Sequence, residues 1–352
     1  MTLDSLLQRL VATASVSGQE GPVADLVQGL LAERGLAFQR EGNNLWFELG
    51  QGGPRLLVNS HLDTVAPCAG WSVSPWEAAW AGERLVGLGA NDAKGCVAAM
   101  LWTAFELAAA PPSGTAVFAF TAEEESGGQG MAVLRDRLGP LDAAVVGEPT
   151  GLQVCAAQRG MLILRCVAQG RSAHAAHAQL GENAIHKAAR DIARLELFRF
   201  EGHPLLGASR PHVTQIGGGL ARNQVPDTCE FFIDLRTTPN LDHAELARFF
   251  ASQLESDVHV HSGRYRAKDT DTAEPVVQAA LAAAGAVGPV GSATTSDWAF
   301  LGELPAVKAG PGDTHRSHRP DEYLLRAELH KGAAFYRALI DGYFSAAKRG
   351  KP

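Results

Sequence analysis

Apolar residues at Leu3, Leu6, Leu7 and Leu10, separated by Asp4, Gln8 and Arg9, recur at the spacing of one helix face and predict an opening amphipathic helix. The polar interruptions are wrong for a signal-peptide core, so no secretory leader is expected. Short apolar runs follow near Leu45–Leu49 and at Arg55–Val58, Ala116–Phe120 and Ala143–Val146, with a helix expected from Cys96 to Ala109, stopped by Pro111-Pro112. Alternation of this kind predicts an α/β fold around a mixed sheet. Polar residues gather where the runs stop, at Asn59-Ser60-His61-Leu62-Asp63, Glu123-Glu124-Glu125 and Gly147-Glu148-Pro149. Strand ends are where open α/β sheets carry their ligands.

From Met161 the pattern changes to strand 161–169, helix 183–196, strands 212–217 and 229–236, helix 242–255 and strand 258–264. A β-α-β-β-α-β order closes on itself as a ferredoxin-like α+β layer. Residues 161–267 therefore read as a domain inserted into a discontinuous catalytic domain made of 1–160 and 268–352, with hinge positions near Gly160 and Lys268. The α/β style returns in a helix near Pro275–Ala284, the stretch Thr294–Phe300, the turn Gly310-Pro311-Gly312 and a final helix from Arg326.

With 352 residues, 46% hydrophobic and 20% charged, the chain can build two cored domains and is neither fibrous nor disordered. Its 31 basic and 38 acidic residues leave a net charge of −7, so nucleic acid is not an expected partner. The one basic cluster, Lys348, Arg349 and Lys351, reads as a solvated tail. No apolar run approaches the roughly 20 residues that span a bilayer, and no membrane partner is expected. Five cysteines without a CxxC pair read as reduced thiols, and the expected location is cytoplasmic.

His61, Asp92, Glu125, Glu148 and His318 all lie in loops flanked by Gly, Pro or Ser. Imidazole and carboxylate without thiolate suit zinc, cobalt or manganese, and two histidines with three carboxylates suffice for two cations if one carboxylate bridges. Cys68 and Cys96 then keep packing roles. Asp63, two residues beyond His61, projects to the same side of an extended segment and can orient its imidazole. Adjacent side chains leaving a strand diverge, so one glutamate of the 123–125 triplet can bind metal while its neighbour serves as general base. Two registers fit, Glu124 as base with Glu125 as ligand, or Glu123 with Glu124, and His315 competes with His318. Taken singly, each has an ordinary reading as well: a buried loop histidine, a solvated acidic turn, a strand-end salt bridge for Arg236. His177, His259 and His261 read as surface residues.

Five motifs in order resemble the dinuclear zinc amidohydrolases that include acetylornithine deacetylase, succinyl-diaminopimelate desuccinylase and carboxypeptidase G. They are His61–Val65, Gly89–Gly95, Thr121–Glu125, Gly147–Thr150, and Gly310–Gly312 with His318–Glu322. The resemblance covers essentially the whole chain. It implies two divalent metal ions, zinc first, with Asp92 bridging, His61 and Glu148 completing one site and Glu125 and His318 the other. It further implies Glu124 as base and His174 as an oxyanion donor contributed across a homodimer formed by the inserted domain, with Asp63 counted among the catalytic residues as the group that orients His61. Asn223, Arg236 and Gly312 match substrate-holding positions. The implied reaction removes the acyl group of a small N-acyl amino acid, N²-acetyl-L-ornithine foremost, a step of arginine biosynthesis. Succinyl-diaminopimelate, acetyl-lysine and acetyl-citrulline are the alternatives, and a non-catalytic metal-dependent binding protein is the alternative of another class.

Overall fold

Strand Thr115–Thr121 is buried at every position and strand Arg55–His61 at all but its first. Burial on both faces explains why these runs are continuously apolar rather than alternating. The computed structural model describes residues 1–346 in full and the helical backbone to 349; the side chains of Lys348 and Arg349, and the whole of Lys351, lie outside the described residues. The two strands pair in parallel, Arg55–His61 also pairs in parallel with Ala143–Val146, and Ala143–Val146 in turn with Ala306–Lys308. Antiparallel Asn44–Gly50 and Gln39–Glu41 extend one edge, making the expected mixed sheet.

Helices cover that sheet. Leu3–Ala12 starts at a capping box between Thr2 and Ser5 and buries Leu3, Leu6, Leu7, Leu10 and Val11, the face read from the sequence. Lys94–Ala109 begins two residues earlier than the apolar pattern indicates, and its first residue, Lys94, is buried although charged. A small three-stranded sheet of Ala79–Ala81, Arg84–Val86 and Tyr323–Leu325 has no counterpart in the sequence reading. Strands of three residues are too short to show a period.

Two compact units result. The first comprises Met1–Ala156, Asp269–Val290 and the chain from Ser296; the second comprises Ala157–Lys268 with Gly291–Thr295. The second contains the ferredoxin-like layer: an antiparallel sheet in the order Pro211–Gly218, Thr228–Thr237, Gly160–Gln169, Asp257–Tyr265, with helices Ala184–Leu195 and His243–Gln253. Thr228–Thr237 alternates between buried and more exposed positions along its length, presenting Cys229, Phe231, Ile233 and Leu235 to a core with Leu162, Leu164 and Phe250. Gly291–Thr295, which the pattern left with the first domain, joins this unit: Arg159 N–H donates to Ser292 O at 3.0 Å.

Candidate metal centre

The three parallel strands Thr115–Thr121, Arg55–His61 and Ala143–Val146 lie side by side in the first unit, with His61 opposite Thr121 and Asn59 opposite Val146. Their carboxyl ends therefore deliver the glutamate triplet, His61 with Asp63, and Glu148 to one edge of the sheet. Leu62 N–H donates to Thr121 O and Gly147 N–H to Asn59 O, both at 2.7 Å, which holds these ends in line.

Asp92 comes from the turn before helix Lys94–Ala109. The buried Glu322 carboxylate fixes that turn by accepting the Asn91 and Asp92 N–H groups at 2.8 and 3.0 Å through one oxygen. The Asn91 side chain then reaches across to the last loop: its amide donates to Asp313 O and Ser317 Oγ, and its oxygen accepts the Asp313 N–H at 2.8 Å. Gly312 (φ 94°) lies so close that a Cβ there would stand 2.4 Å from Asn91 Oδ1, so the position requires glycine. This clasp presents His318, itself in a left-handed backbone conformation with φ 61°.

Asp92 faces an imidazole with each oxygen. His61 Nε2 is 3.4 Å from Asp92 Oδ1 and 4.0 Å from Glu148 Oε1, while His318 Nε2 is 3.7 Å from Asp92 Oδ2 and 2.9 Å from Glu125 Oε1. Ligand atoms of His61, Asp92 and Glu125 also fall within 4.8 Å of one another. Donors gathered around one cation at about 2 Å stand roughly 3–4 Å apart, so nitrogen and oxygen atoms at these separations fit divalent metal ions. It is His318, rather than His315, whose imidazole meets Glu125 and Asp92, and His315 uses its backbone N–H to bond Asp313. His61 Nδ1 faces the Asp63 carbonyl at 3.0 Å and carboxylate at 3.4 Å, acceptors that hold a proton on Nδ1 and turn Nε2 toward Asp92 and Glu148, where it could bind a cation.

Burial raises the Glu124 carboxyl well above the usual range, with Glu148 and Asp297 adding to the rise. Glu148 is pushed up to about 8 by burial and then by Asp92. His318 is raised to about 9 by its hydrogen bond to Glu125. Burial works against protonation of His61, yet hydrogen bonds to Asp63 and Asp92 and the Glu148 charge carry it well above 6.5. Crowded carboxylates of this kind are stabilised by nearby positive charge. Lys94, buried and donating to Thr13 O at 2.8 Å, is depressed to about 7 by burial.

Several residues that shape the centre escaped the sequence reading. Glu20 and Ser17 bind the loops carrying the glutamate triplet and Asp63; Asp297, buried and raised to about 6 by burial, accepts the Thr121 hydroxyl at 2.5 Å. Asn91 and Glu322 stood inside recognised motifs without an assigned part. Nothing in sequence distinguishes Glu20 or Asp297 from an ordinary loop acid.

In the second unit, His174 and Asn223 come together: Ala173–His174 pairs with Gln224–Val225, and Ala175 N–H donates to Asn223 O at 2.8 Å. His174 is exposed, and its Nδ1 accepts the Ala176 N–H at 3.1 Å, which puts the neutral ring's proton on Nε2. Arg236 engages its fork with Asp234 at 2.9 and 3.1 Å, a pair on one face of strand Thr228–Thr237.

The profile of peptidase family M20/M25/M40 matches residues 57–342. The chain belongs to this family. As an M20 protein it is a metal-dependent amidohydrolase. A Mycobacterium tuberculosis relative, provisionally named a succinyl-diaminopimelate desuccinylase, is 31% identical over 357 residues, 96% of this chain and 97% of its own. The N-acetyl-L-citrulline deacetylase of Xanthomonas campestris is 29% identical over 311 residues, 83% of each chain. A dinuclear metal binding M20 peptidase from Bacillus subtilis shares the M20 fold at a TM-score of 0.76 with 16% identity, covering 96% of both chains.

Proposed function

We propose that the protein hydrolyses the amide of an N-acyl amino acid, with N²-acetyl-L-ornithine as first substrate, yielding L-ornithine and acetate for arginine biosynthesis. The observation that carries this reading is the Asp92 carboxylate, each of whose oxygens faces a different imidazole within 4 Å, beside a buried glutamate raised well above its usual range. His61, Asp92 and Glu148 would hold one divalent cation and Asp92, Glu125 and His318 the second, zinc by donor chemistry, with Co²⁺ or Mn²⁺ as substitutes. When bound, such cations polarise the scissile carbonyl and acidify water.

Ionised Glu124 takes the proton of the attacking water and returns it to the departing amine, a task suited to a carboxylate whose proton affinity burial raises. His174 offers its Nε2–H to the developing oxyanion, from the neighbouring subunit of a homodimer. Exposed Ile216 on the edge strand Pro211–Gly218 and exposed Leu220 support association through the inserted unit. Asn223, Gly312 and Arg236 hold the substrate carboxylate, Arg236 exchanging Asp234 for it. The expected location is the cytoplasm.

Succinyl-diaminopimelate is the second reading, favoured by the name of the Mycobacterium relative, and the Xanthomonas relative keeps acetyl-citrulline in view. A release assay on zinc-loaded protein across acetyl-ornithine, succinyl-diaminopimelate, acetyl-citrulline, acetyl-lysine and a dipeptide decides among them. Highest kcat/KM on the acetylated ornithine is expected; preference for the succinylated substrate moves the assignment to desuccinylase.

A further inference from the structure

The loop Ser15–Glu20 precedes the residues matched by the family profile, yet it runs along the metal centre within the first unit. Ser15 Oγ donates to Leu62 O at 2.8 Å, Thr64 N–H to Ser15 O at 2.9 Å, and Ser17 N–H to Thr64 O at 3.0 Å. Ser17 Oγ donates to Asp63 Oδ2 at 2.7 Å. At the end of this loop the Glu20 side chain is fully buried and accepts from three donors. Its Oε1 accepts the Gly18 N–H at 2.6 Å and the Glu123 N–H at 3.2 Å, and its Oε2 accepts the Asn43 amide at 3.0 Å.

Glu123 adopts φ 57°, the left-handed region that residues with a Cβ avoid, so the turn at the end of strand Thr115–Thr121 needs outside support. That support comes from two carboxylates holding three successive amides: Glu20 takes the Glu123 N–H, and Asp63 takes the Glu124 N–H at 3.1 Å and the Glu125 N–H at 3.0 Å. The direction of those three amides sets the direction in which the Glu124 and Glu125 side chains leave the backbone.

We propose that Glu20 is a positioning residue for hydrolysis, its buried carboxylate fixing the left-handed turn from which Glu124 and Glu125 project. The inference rests on the hydrolase reading with Glu124 as base. Glu20 touches neither substrate nor metal; it acts through the Glu123 amide, and misplacing a reacting group by a fraction of an ångström lowers turnover steeply.

The experiment compares wild type, Glu20→Ala, Glu20→Gln and Glu124→Gln as zinc-loaded full-length chains on the best substrate of the release panel, with metal content and melting temperature measured for each. Glu20→Ala is expected to lower kcat per zinc-loaded chain roughly 10–100-fold with KM within about threefold, and to weaken zinc binding through the displaced Glu125. Glu20→Gln, which keeps an oxygen for both backbone donors while the Asn43 amide rotates to accept, is expected to recover most of that loss. A Glu20→Ala enzyme with wild-type kcat per zinc-loaded chain, or one whose loss only follows its melting temperature, overturns the proposal. So does Glu20→Gln as impaired as Glu20→Ala. Wild-type turnover in Glu124→Gln instead removes the base assignment beneath the inference, and a wild type that releases nothing from any substrate of the panel removes the hydrolase reading itself. Should Glu20→Ala not fold, Glu20→Asp carries the test: one methylene shorter, it keeps the charge but withdraws the oxygen from Glu123, and normal turnover there overturns the inference equally.

Discussion

The Asp63 carboxylate meets the backbone N–H of Glu124 at 3.1 Å with one oxygen while the other accepts the Glu125 N–H at 3.0 Å. The same group borders His61 Nδ1 and receives the Ser17 hydroxyl, so one buried side chain references an imidazole and two glutamates to a common point. His61 and its neighbouring hydrogen bonds hold the Asp63 carboxyl below the usual range against the opposing effect of burial. Asp63→Asn turns one acceptor into a donor aimed at a donor. Expected are a kcat/KM loss of roughly 10–100-fold and a stability loss of about 1–3 kcal/mol, read by kinetics and urea unfolding.

Glu124→Gln preserves size but cannot carry a proton. Turnover should fall at least ~10²-fold while the bound-metal stoichiometry measured by atomic absorption stays at the wild-type value. Near-normal turnover would remove Glu124 from the mechanism.

In the metal-free protein the raised groups His318 and Glu148 lower stability as pH rises, and Lys94, depressed to about 7, opposes them only above that value. His318 is raised from 6.5 to about 9 and Glu148 from 4.5 to about 8, so the stability each contributes is complete below its ordinary value and is lost as pH rises through the raised one. Melting temperature after chelation should therefore decline between pH 4.5 and 7, the interval in which only the raised groups act. Zinc acts the other way, because its ligands must shed protons, and its stabilising increment should grow over the same interval. A zinc increment independent of pH contradicts ligation by these side chains.

Among the five cysteines only Cys68 is exposed; Cys96, Cys155, Cys166 and Cys229 are buried, and burial lifts the Cys166 thiol to about 12. A chromogenic disulfide reagent should titrate one thiol in the native protein and five after denaturation, and Cys68→Ser should abolish the native reaction.

Gly130→Ala tests how tightly the triplet turn is packed. A Cβ at Gly130 would stand 2.1 Å from Ala122 O and 2.6 Å from Asn44 Oδ1, the group that accepts the Ala122 N–H. The backbone must shift next to Glu123, so activity and urea midpoint should both drop, the latter by about 1–3 kcal/mol of stability.

How far the sequence reaches follows from what each residue does. His61, Glu148 and the glutamate triplet were legible because a buried parallel strand is an unbroken apolar run, and the first polar residues beyond it must lie at the sheet's edge. The β-α-β-β-α-β layer was legible through the opposite signal, the alternation of half-buried strands such as Thr228–Thr237. Glu20, Asn91, Asp297 and Glu322 were not, because they serve through a few hydrogen bonds that reach across 103 to 231 positions of chain, and no local period records such a partner. Arg236 shows the converse: its motif suggests a substrate anchor, while its fork is engaged by Asp234 two residues away.

The splice of Ala157–Lys268 into the first unit has a consequence for synthesis. Ala306–Lys308 takes its parallel place beside Ala143–Val146 only after the whole intervening segment has been translated. Until then the nascent sheet carries a bare apolar edge, and a ribosome that stalls between Lys268 and Ala306 releases a chain whose second unit is nearly finished and whose first is open to pairing with strangers.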